Sequence, residues 1–247
     1  MSQDASAHAH AHAHHHHGHG HGHDYVQANK AYFDEHADKV EEEHPESRQV
    51  ACNSVDAMRE AYPAIFDKDR TEVLDFACGT GMVSEALFPY VKRIVGVDIS
   101  EKSVEVYNKK AAEKGASERM KAVCVELKGE PGELDGAKFD LITCCAAYHH
   151  FPSIADTTRV LASFLKPGGS LLVTDLMQAP DKAELVPLKY HDMVPHKHGL
   201  SEEDMRAAFE GAGLTGFEMG EAHTTETRQW GKMRWFLARG VKPVEGA

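Results

Sequence analysis

The sequence lacks long apolar runs, and this absence argues against a membrane-spanning helix. A bilayer requires about 18 to 20 consecutive apolar residues, and no stretch of this chain approaches that length. The first residues also lack the basic region and the apolar core of a secretory signal. These two absences predict a cytoplasmic protein with no membrane partner.

Clustered positive charge is also missing. The chain has 27 Lys and Arg residues against 39 Asp and Glu residues, which gives a formal net charge of −12 at pH 7. Because proteins bind nucleic-acid phosphates through clustered basic side chains, no nucleic-acid partner is expected. A small molecule or a protein is the better candidate for the binding partner of this chain.

Cysteine is scarce and odd in number, which argues against a disulfide framework. Four of the five cysteines lie within or beside apolar stretches that are typical of a core, and the five are Cys52, Cys78, Cys124, Cys144 and Cys145. Reduced, mostly buried thiols are therefore favoured over disulfides or a cysteine metal site.

Residues 1–23 form a histidine-rich tract that carries ten histidines in Ala-His and Gly-His alternation. Such a tract cannot build a core, so we predict a disordered tail. Its imidazoles could bind Ni, Zn or Cu ions weakly, and a plain polar tail or an introduced tag are the alternatives. The irregular alternation favours a native tract over a tag.

From residue 24 the composition becomes that of a folded domain, which we predict to span residues 24–247. Helical spacing indicates two amphipathic helices within residues 24–65, and prolines end both of them. These helices either pack against the rest of the domain or cap a ligand. The aromatic pair Tyr32 and Phe33 favours a cap.

Five short apolar segments alternate with helical segments after these two helices. The predicted strands cover residues 72–76, 93–98, 120–127, 139–145 and 170–175. Such alternation indicates parallel pairing with right-handed crossovers. A later helix begins at Ser201, and two last strands near Phe217 and Trp235 can pair as a hairpin. The prediction is an α/β fold with a doubly wound, mostly parallel seven-stranded sheet and an antiparallel C-terminal edge hairpin.

A glycine turn joins the first strand to the next helix and is the best candidate for a binding site. Ligands of such sheets bind at the carboxyl ends of the strands. A dinucleotide site would have a third glycine where this chain has Ser84, and Asp75 would repel a pyrophosphate. A carboxylate before Gly79 and Gly81 suits a cationic or zwitterionic ligand better. A turn that binds nothing remains the alternative.

Residues 75–81 resemble the D-x-x-x-G-x-G motif of class I S-adenosylmethionine-dependent methyltransferases. Three further segments, residues 97–100, 139–142 and 165–169, match motifs of that family in the same order. The resemblance implies a Rossmann-like sheet and S-adenosylmethionine as the cofactor.

The resemblance also implies roles for seven residues around the cofactor. Asp75 and Ala77, with Gly79 and Gly81, would surround the methionyl part, Asp98 would bind the ribose, Ile99 would pack on the adenine, and Glu126 would lie near the adenine amine. The match at Glu126 is loose, and a solvated strand end is the alternative there.

The loop after the fourth strand bears on the methyl acceptor. Residues 144–151 lack the Asn-Pro-Pro-Tyr, Asp-Pro-Pro-Tyr and Pro-Cys arrangements of family members that methylate amides or nucleobases. Their His-His-Phe ending is similar to the small-molecule branch, which includes quinone-biosynthesis and secondary-metabolite enzymes. A histidine could act as the general base, because its unperturbed pKa of about 6.5 is close to working pH. His149 and His150 are the first candidates, followed by His196 and His198 in the long segment 177–200.

The predicted function is methyl transfer from S-adenosylmethionine to an oxygen, sulfur, nitrogen or activated carbon of a small molecule. One alternative is a non-catalytic cofactor-binding partner or regulatory protein. Another is a metal-handling protein that acts through its histidine-rich tail. Deleting residues 1–23 would abolish the activity of the metal-handling protein and leave that of the enzyme nearly normal.

Overall fold

The computed structural model describes residues 24–227 and 231–244, so the predictions for the tail 1–23 lie outside the described residues. The sheet has seven strands: β1 Glu72–Phe76, β2 Arg93–Asp98, β3 Met120–Cys124, β4 Phe139–Cys145, β5 Leu165–Leu176, β6 Thr215–Thr227 and β7 Gly231–Val241. Their order is β3-β2-β1-β4-β5-β7-β6. The first five strands pair in parallel, and β7 is antiparallel to both β5 and β6. The predicted fold class and its edge hairpin are confirmed.

The helices lie before the sheet and between its strands. They are α1 Tyr25–His36, α2 Val40–Glu43, α3 Ser47–Ala61, α4 Met82–Leu87, α5 Glu101–Glu113, α6 Ile154–Ser163 and α7 Glu202–Gly211. Ser100 caps α5 by accepting a hydrogen bond from the backbone N–H of Ser103, and Ser201 caps α7 in the same way. These caps satisfy N–H groups that the first helical turn leaves without partners. In the described part of the chain, no helix combines the length and apolarity needed to span a membrane.

Two strand boundaries differ from the sequence prediction. Strand β3 ends at Cys124, so residues 125–127 leave the sheet as irregular chain toward the ligand-binding edge. Strand β5 begins at Leu165, before the predicted start at residue 170, because Gly168 and Gly169 pair with the chain that follows β7. Gly168 donates its N–H to the Lys242 carbonyl, and the Lys242 N–H donates to the Gly169 carbonyl.

An apolar cluster covers the sheet at the carboxyl ends of β4 and β5. It joins Val50 of α3, Leu176 of β5, Met193 of the connection after β5, and Trp235 of β7. The partly buried rings of Tyr32 and Phe33 in α1 pack against it. The N-terminal helices therefore lie over the edge where ligands of this fold bind.

Candidate active site

A cavity of about 430 Å³ opens at the carboxyl ends of β1 to β4. The strand ends contribute Ala77, Gly79, Asp98, Ile99 and Glu126 to its wall. Helix α1 contributes Asn29, Tyr32 and Phe33. The later loops and β7 contribute His149, His150, Tyr190, Met193 and Trp235. The cavity therefore has one end at the glycine turn and another between the N-terminal helices and the histidine-bearing loop.

The two glycines of the turn are required for different reasons. Gly79 has a φ of 50°, and a Cβ placed on it would meet no atom within 4 Å, so the backbone there faces open space. Gly81 has a φ of 92°, and its Cβ would lie 2.6 Å from Cδ2 of Tyr107. Gly79 therefore leaves room for a ligand, whereas Gly81 lets the turn pack on Tyr107. Gly81 does not line the cavity.

Backbone strain marks both loops that face the cavity. Ala77 follows β1 with a φ of 55°, and Ala146 follows β4 with a φ of 52°. A left-handed conformation costs a non-glycine residue about 1 to 2 kcal/mol, and such strain often accompanies functional sites. The Ala146 N–H donates to the Thr174 carbonyl of β5, which holds this conformation in place.

Asp98 joins the end of β2 to the glycine turn. Its Oδ2 accepts a hydrogen bond of 2.8 Å from the Gly79 N–H, and its Oδ1 accepts one of 2.8 Å from the Ser100 N–H. Burial raises the pKa of this carboxyl, although the backbone donors counteract part of the rise. Asp98 lines the cavity, and each carboxylate oxygen can still accept a further bond from a ligand hydroxyl.

Asp75 lies beneath the turn and does not line the cavity. It is 1% exposed; Ser84 donates its hydroxyl to Oδ2 at 2.6 Å and Thr143 donates to Oδ1 at 3.2 Å. Ser84, at the position of the missing third glycine, thus fixes α4 to β1. Both carboxylate oxygens of Asp75 thus bond within the domain, and its contact with a cofactor stays a prediction.

The pKa of Asp75 predicts an unusual pH dependence of stability. Burial is the main cause that raises this pKa to about 6, and the charge of Asp98 raises it further, whereas the two hydroxyl donors lower it. The folded pKa exceeds the unfolded value of about 4. The contribution of the Asp75 carboxyl to the free energy of unfolding is therefore complete below about pH 4 and is lost as the pH rises through 6. Relative to Asp75→Asn, the wild type should lose on the order of 3 kcal/mol of unfolding free energy between pH 4 and pH 7.

Urea unfolding of both proteins at several pH values measures this difference. Asp156→Asn is the control, because Asp156 is exposed and pairs with Arg159 on the surface of α6. A constant difference between wild type and Asp75→Asn from pH 4 to pH 7 would contradict the raised pKa.

A buried pair, His149 and Asp175, lies at the other end of the cavity, where His149 is part of the wall and Asp175 is not. Nδ1 of the His149 ring lies 2.7 Å from Oδ1 of Asp175, and the backbone N–H of His149 donates to Oδ2 of Asp175 at 3.2 Å. Burial works to raise the pKa of Asp175, but its attraction to His149 and its hydrogen bonds outweigh this and lower the pKa. The ionised Asp175 accepts the hydrogen bond from Nδ1–H of His149 and holds the imidazole ring in one orientation. Sequence reasoning missed Asp175, and its one signal was an acid near the end of an apolar strand.

His150 lies beside this pair but has a different role. Its Nδ1–H donates to the Met193 carbonyl at 3.1 Å, and its ring centroid is 4.2 Å from that of His149. Burial, assisted by His149, lowers the pKa of His150 to about 3. His150 therefore stays neutral at working pH and binds protons too weakly to be an efficient base.

The structure does not bring His196 or His198 to the cavity. His196 supports the loop from behind, because Nε2 bonds to the Phe151 carbonyl at 3.0 Å and its backbone N–H donates to the His149 carbonyl. His198 is exposed. Neither side chain is therefore placed to take a proton from a ligand in the cavity.

Glu126 stands at the mouth of the cavity. It is exposed beyond the end of β3 and pairs with Lys128.

In residues 24–227 and 231–244, no group of three His, Cys, Asp or Glu side chains could hold a metal ion, and all five cysteines carry free thiols.

Comparison with known proteins assigns the chain to a family. A family model described as a methyltransferase domain matches residues 46–218, which is more than half of the chain. The chain belongs to the methyltransferase-domain family. The resemblance found in the sequence motifs is thereby confirmed.

Two curated relatives and one solved structure show how far the similarity extends. An uncharacterised methyltransferase of Schizosaccharomyces pombe is 35% identical over 159 residues, which cover 62% of this chain and 56% of that protein. A ubiquinone biosynthesis O-methyltransferase of Bordetella avium is 28% identical over 153 residues, covering 58% of this chain and 61% of that protein. The chain thus spans less than two thirds of either relative.

The magnesium protoporphyrin IX methyltransferase of Synechocystis, solved with bound S-adenosylhomocysteine, superposes with a TM-score of 0.63 at 21% identity. The match covers 89% of this chain and 100% of that one. At this identity the likeness shows a shared fold alone.

Proposed function

We propose that this methyltransferase-domain chain transfers the methyl group of S-adenosylmethionine to a protonated oxygen, sulfur or nitrogen of a small molecule. The observation that carries the proposal is the His149–Asp175 pair in the wall of the same cavity as Gly79 and Asp98. One end of the cavity suits the cofactor, and the other provides a base for the acceptor.

The residues at the turn fit the cofactor. Gly79 faces open space, Asp98 presents a carboxylate for hydroxyl groups, and the volume of about 430 Å³ lies in the usual range for small-molecule sites. No Lys or Arg side chain of the described residues lines the cavity, which disfavours a pyrophosphate and suits a cationic sulfonium. When bound, S-adenosylmethionine supplies an electrophilic methyl group.

The chain contributes alignment, exclusion of water and removal of a proton. Methyl transfer is an in-line displacement, so holding the acceptor heteroatom in line with the methyl group supplies much of the acceleration. Nε2 of His149 takes the proton that the acceptor heteroatom loses as it gains the methyl group. Asp175 stabilises the resulting imidazolium and keeps the ring in one orientation.

Oxygen is the favoured acceptor atom. The Bordetella avium relative is named an O-methyltransferase. A hydroxyl group is a weak nucleophile until it loses its proton, so a buried base contributes more there than at an unprotonated amine.

Transfer of a labelled methyl group from S-adenosylmethionine to a panel of phenols, thiols and amines tests the proposal. We expect label in at least one small-molecule product, and near-normal rates after deletion of residues 1–23. Cofactor binding without transfer to any acceptor or cell extract would instead favour the non-catalytic partner. Loss of activity with the tail would favour the metal-handling alternative.

A further inference from the structure

Among the described residues, four buried side-chain atoms have no hydrogen-bond partner, and two of them belong to residues that line the cavity: Oδ1 of Asn29 and Nε1 of Trp235. Both residues are 6% exposed and line the cavity. A buried donor or acceptor without a partner costs about 1 to 3 kcal/mol, and such groups are rare in native proteins. One unmet acceptor and one unmet donor in the same wall point to a ligand that supplies both partners.

The orientation of Asn29 is fixed by its other contacts. Its Nδ2 donates to the Tyr25 carbonyl at 2.7 Å and to the Met193 carbonyl at 2.8 Å. Two carbonyl partners require the amide nitrogen at this position, which leaves Oδ1 as the acceptor. The Met193 carbonyl also accepts from Nδ1 of His150, so Asn29 lies beside the histidine loop and at the acceptor end of the cavity.

Trp235 is held from the opposite side. Its ring stacks on His223 with centroids 5.7 Å apart and planes at 19°. Ser54 and Thr225 hydrogen-bond the two nitrogens of His223, so the stacked ring has a defined position. Trp235 pairs with Leu176 in the sheet, the residue that follows Asp175. Trp235 and His149 line the same cavity.

The wall of the cavity is aromatic and, among the described residues, carries no Lys or Arg side chain. Tyr32 meets Phe33 edge-on at 5.4 Å and Tyr190 edge-on at 6.0 Å. Among the described residues the ionisable acids of the cavity are Glu46, Asp98 and Glu126, and neither Lys nor Arg lines it. An anionic ligand would therefore be repelled, whereas a neutral planar ring can pack against the aromatic edges.

We infer that Asn29 and Trp235 select a neutral aromatic methyl acceptor that carries a hydroxyl group and a second oxygen. The hydroxyl donates to Oδ1 of Asn29, and the second oxygen accepts from the Nε1–H of Trp235. This inference rests on the proposed function and specifies its substrate class. The two contacts discriminate against rings without oxygen substituents, and the acidic lining of the cavity discriminates against aromatic acids.

Calorimetric titration in the presence of S-adenosylhomocysteine tests the inference with three probes. Catechol is neutral and has both hydroxyl donors and oxygen acceptors, 1,2-dimethoxybenzene has acceptors alone, and 3,4-dihydroxybenzoate adds a negative charge. We expect catechol to bind most tightly, and the other two to bind on the order of 10-fold more weakly.

Variants then assign the selectivity to the two side chains. Asn29→Ala and Trp235→Phe should each weaken catechol binding by about 5- to 10-fold without changing S-adenosylhomocysteine affinity. For 1,2-dimethoxybenzene, Trp235→Phe should still weaken binding, whereas Asn29→Ala should not, because that probe has no hydroxyl donor. Tyr62→Phe is the matched control, since its hydroxyl bonds to Glu218 away from the cavity.

The inference is overturned if both variants bind catechol as tightly as the wild type, if the wild type binds none of the probes, or if the carboxylate probe binds best. Asn29 also ties α1 to Met193, so unchanged S-adenosylhomocysteine affinity serves as its folding check. Should Asn29→Ala fail that check, Trp235→Phe decides alone. Probe binding that depends on these two side chains supports the inference. The proposed function fails on a different result, the absence of methyl transfer to any acceptor, so failure of the inference and failure of the proposed function are distinguishable.

Discussion

Replacing His149 by Gln is expected to lower kcat for a hydroxyl acceptor by about 10²- to 10⁴-fold, the usual contribution of a general base. Gln keeps a polar group near Asp175 but cannot take the acceptor's proton at working pH. The affinity for S-adenosylhomocysteine should not change, because His149 lies at the acceptor end of the cavity. Steady-state rates and calorimetric titration measure the two quantities separately.

Asp175→Asn and His150→Gln are the informative comparisons for this result. Asp175→Asn keeps the shape of the side chain, but its neutral amide no longer stabilises a charged His149, so kcat should fall with little change in the acceptor KM. His150→Gln should cost less than about tenfold in kcat, because a group with a pKa of about 3 is a poor proton acceptor. A large loss at His150 together with a small loss at His149 would contradict the assignment of the base.

The shape of the pH profile provides an independent check. His150 is neutral above about pH 4, so any inflection near neutral pH arises from another group. If Asp175→Asn moves that inflection and His150→Gln does not, the inflection depends on Asp175 and not on His150. A purely structural role for Asp175 would change the rate without moving the inflection.

The features that the sequence predicted well depend on neighbouring residues. Strand β4 has the predicted bounds, because a short, mostly apolar run is typical of a strand buried on both faces. Ser100 and Ser201 cap their helices as predicted, since a cap involves residues three positions apart. The glycine turn was found for the same reason.

The features that the sequence did not predict depend on contacts between distant segments. His149 and Asp175 are 26 positions apart, and Asn29 meets the Met193 carbonyl across 164 positions. No local spacing identifies such pairs. The role of Asp75 was likewise not evident from its motif, because the motif does not reveal that Ser84 and Thr143 occupy both carboxylate oxygens.

Asp98→Ala is expected to weaken S-adenosylhomocysteine binding by about 1 to 3 kcal/mol, the range for hydrogen bonds to a charged group. Two effects combine in this variant. The cofactor loses a carboxylate that can accept its hydroxyl groups, and the N–H groups of Gly79 and Ser100 lose their acceptor. The second effect loosens the turn at Gly79, whose backbone faces open space in the cavity wall.

Asp98→Asn separates charge from shape and is not a conservative change here. The carboxylate of Asp98 accepts from the backbone N–H groups of both Gly79 and Ser100. The side-chain amide of Asn could accept from one of them with its oxygen, but its NH₂ group would face the other N–H. We therefore expect Asn to bind S-adenosylhomocysteine almost as weakly as Ala does. Asp140→Asn is the matched control, because Asp140 accepts the Glu72 N–H and pairs with Lys166 at the amino ends of the strands. Unchanged affinity in both Asp98 variants would contradict its place in the cofactor site, since removal of its charge must weaken any ligand that it binds directly.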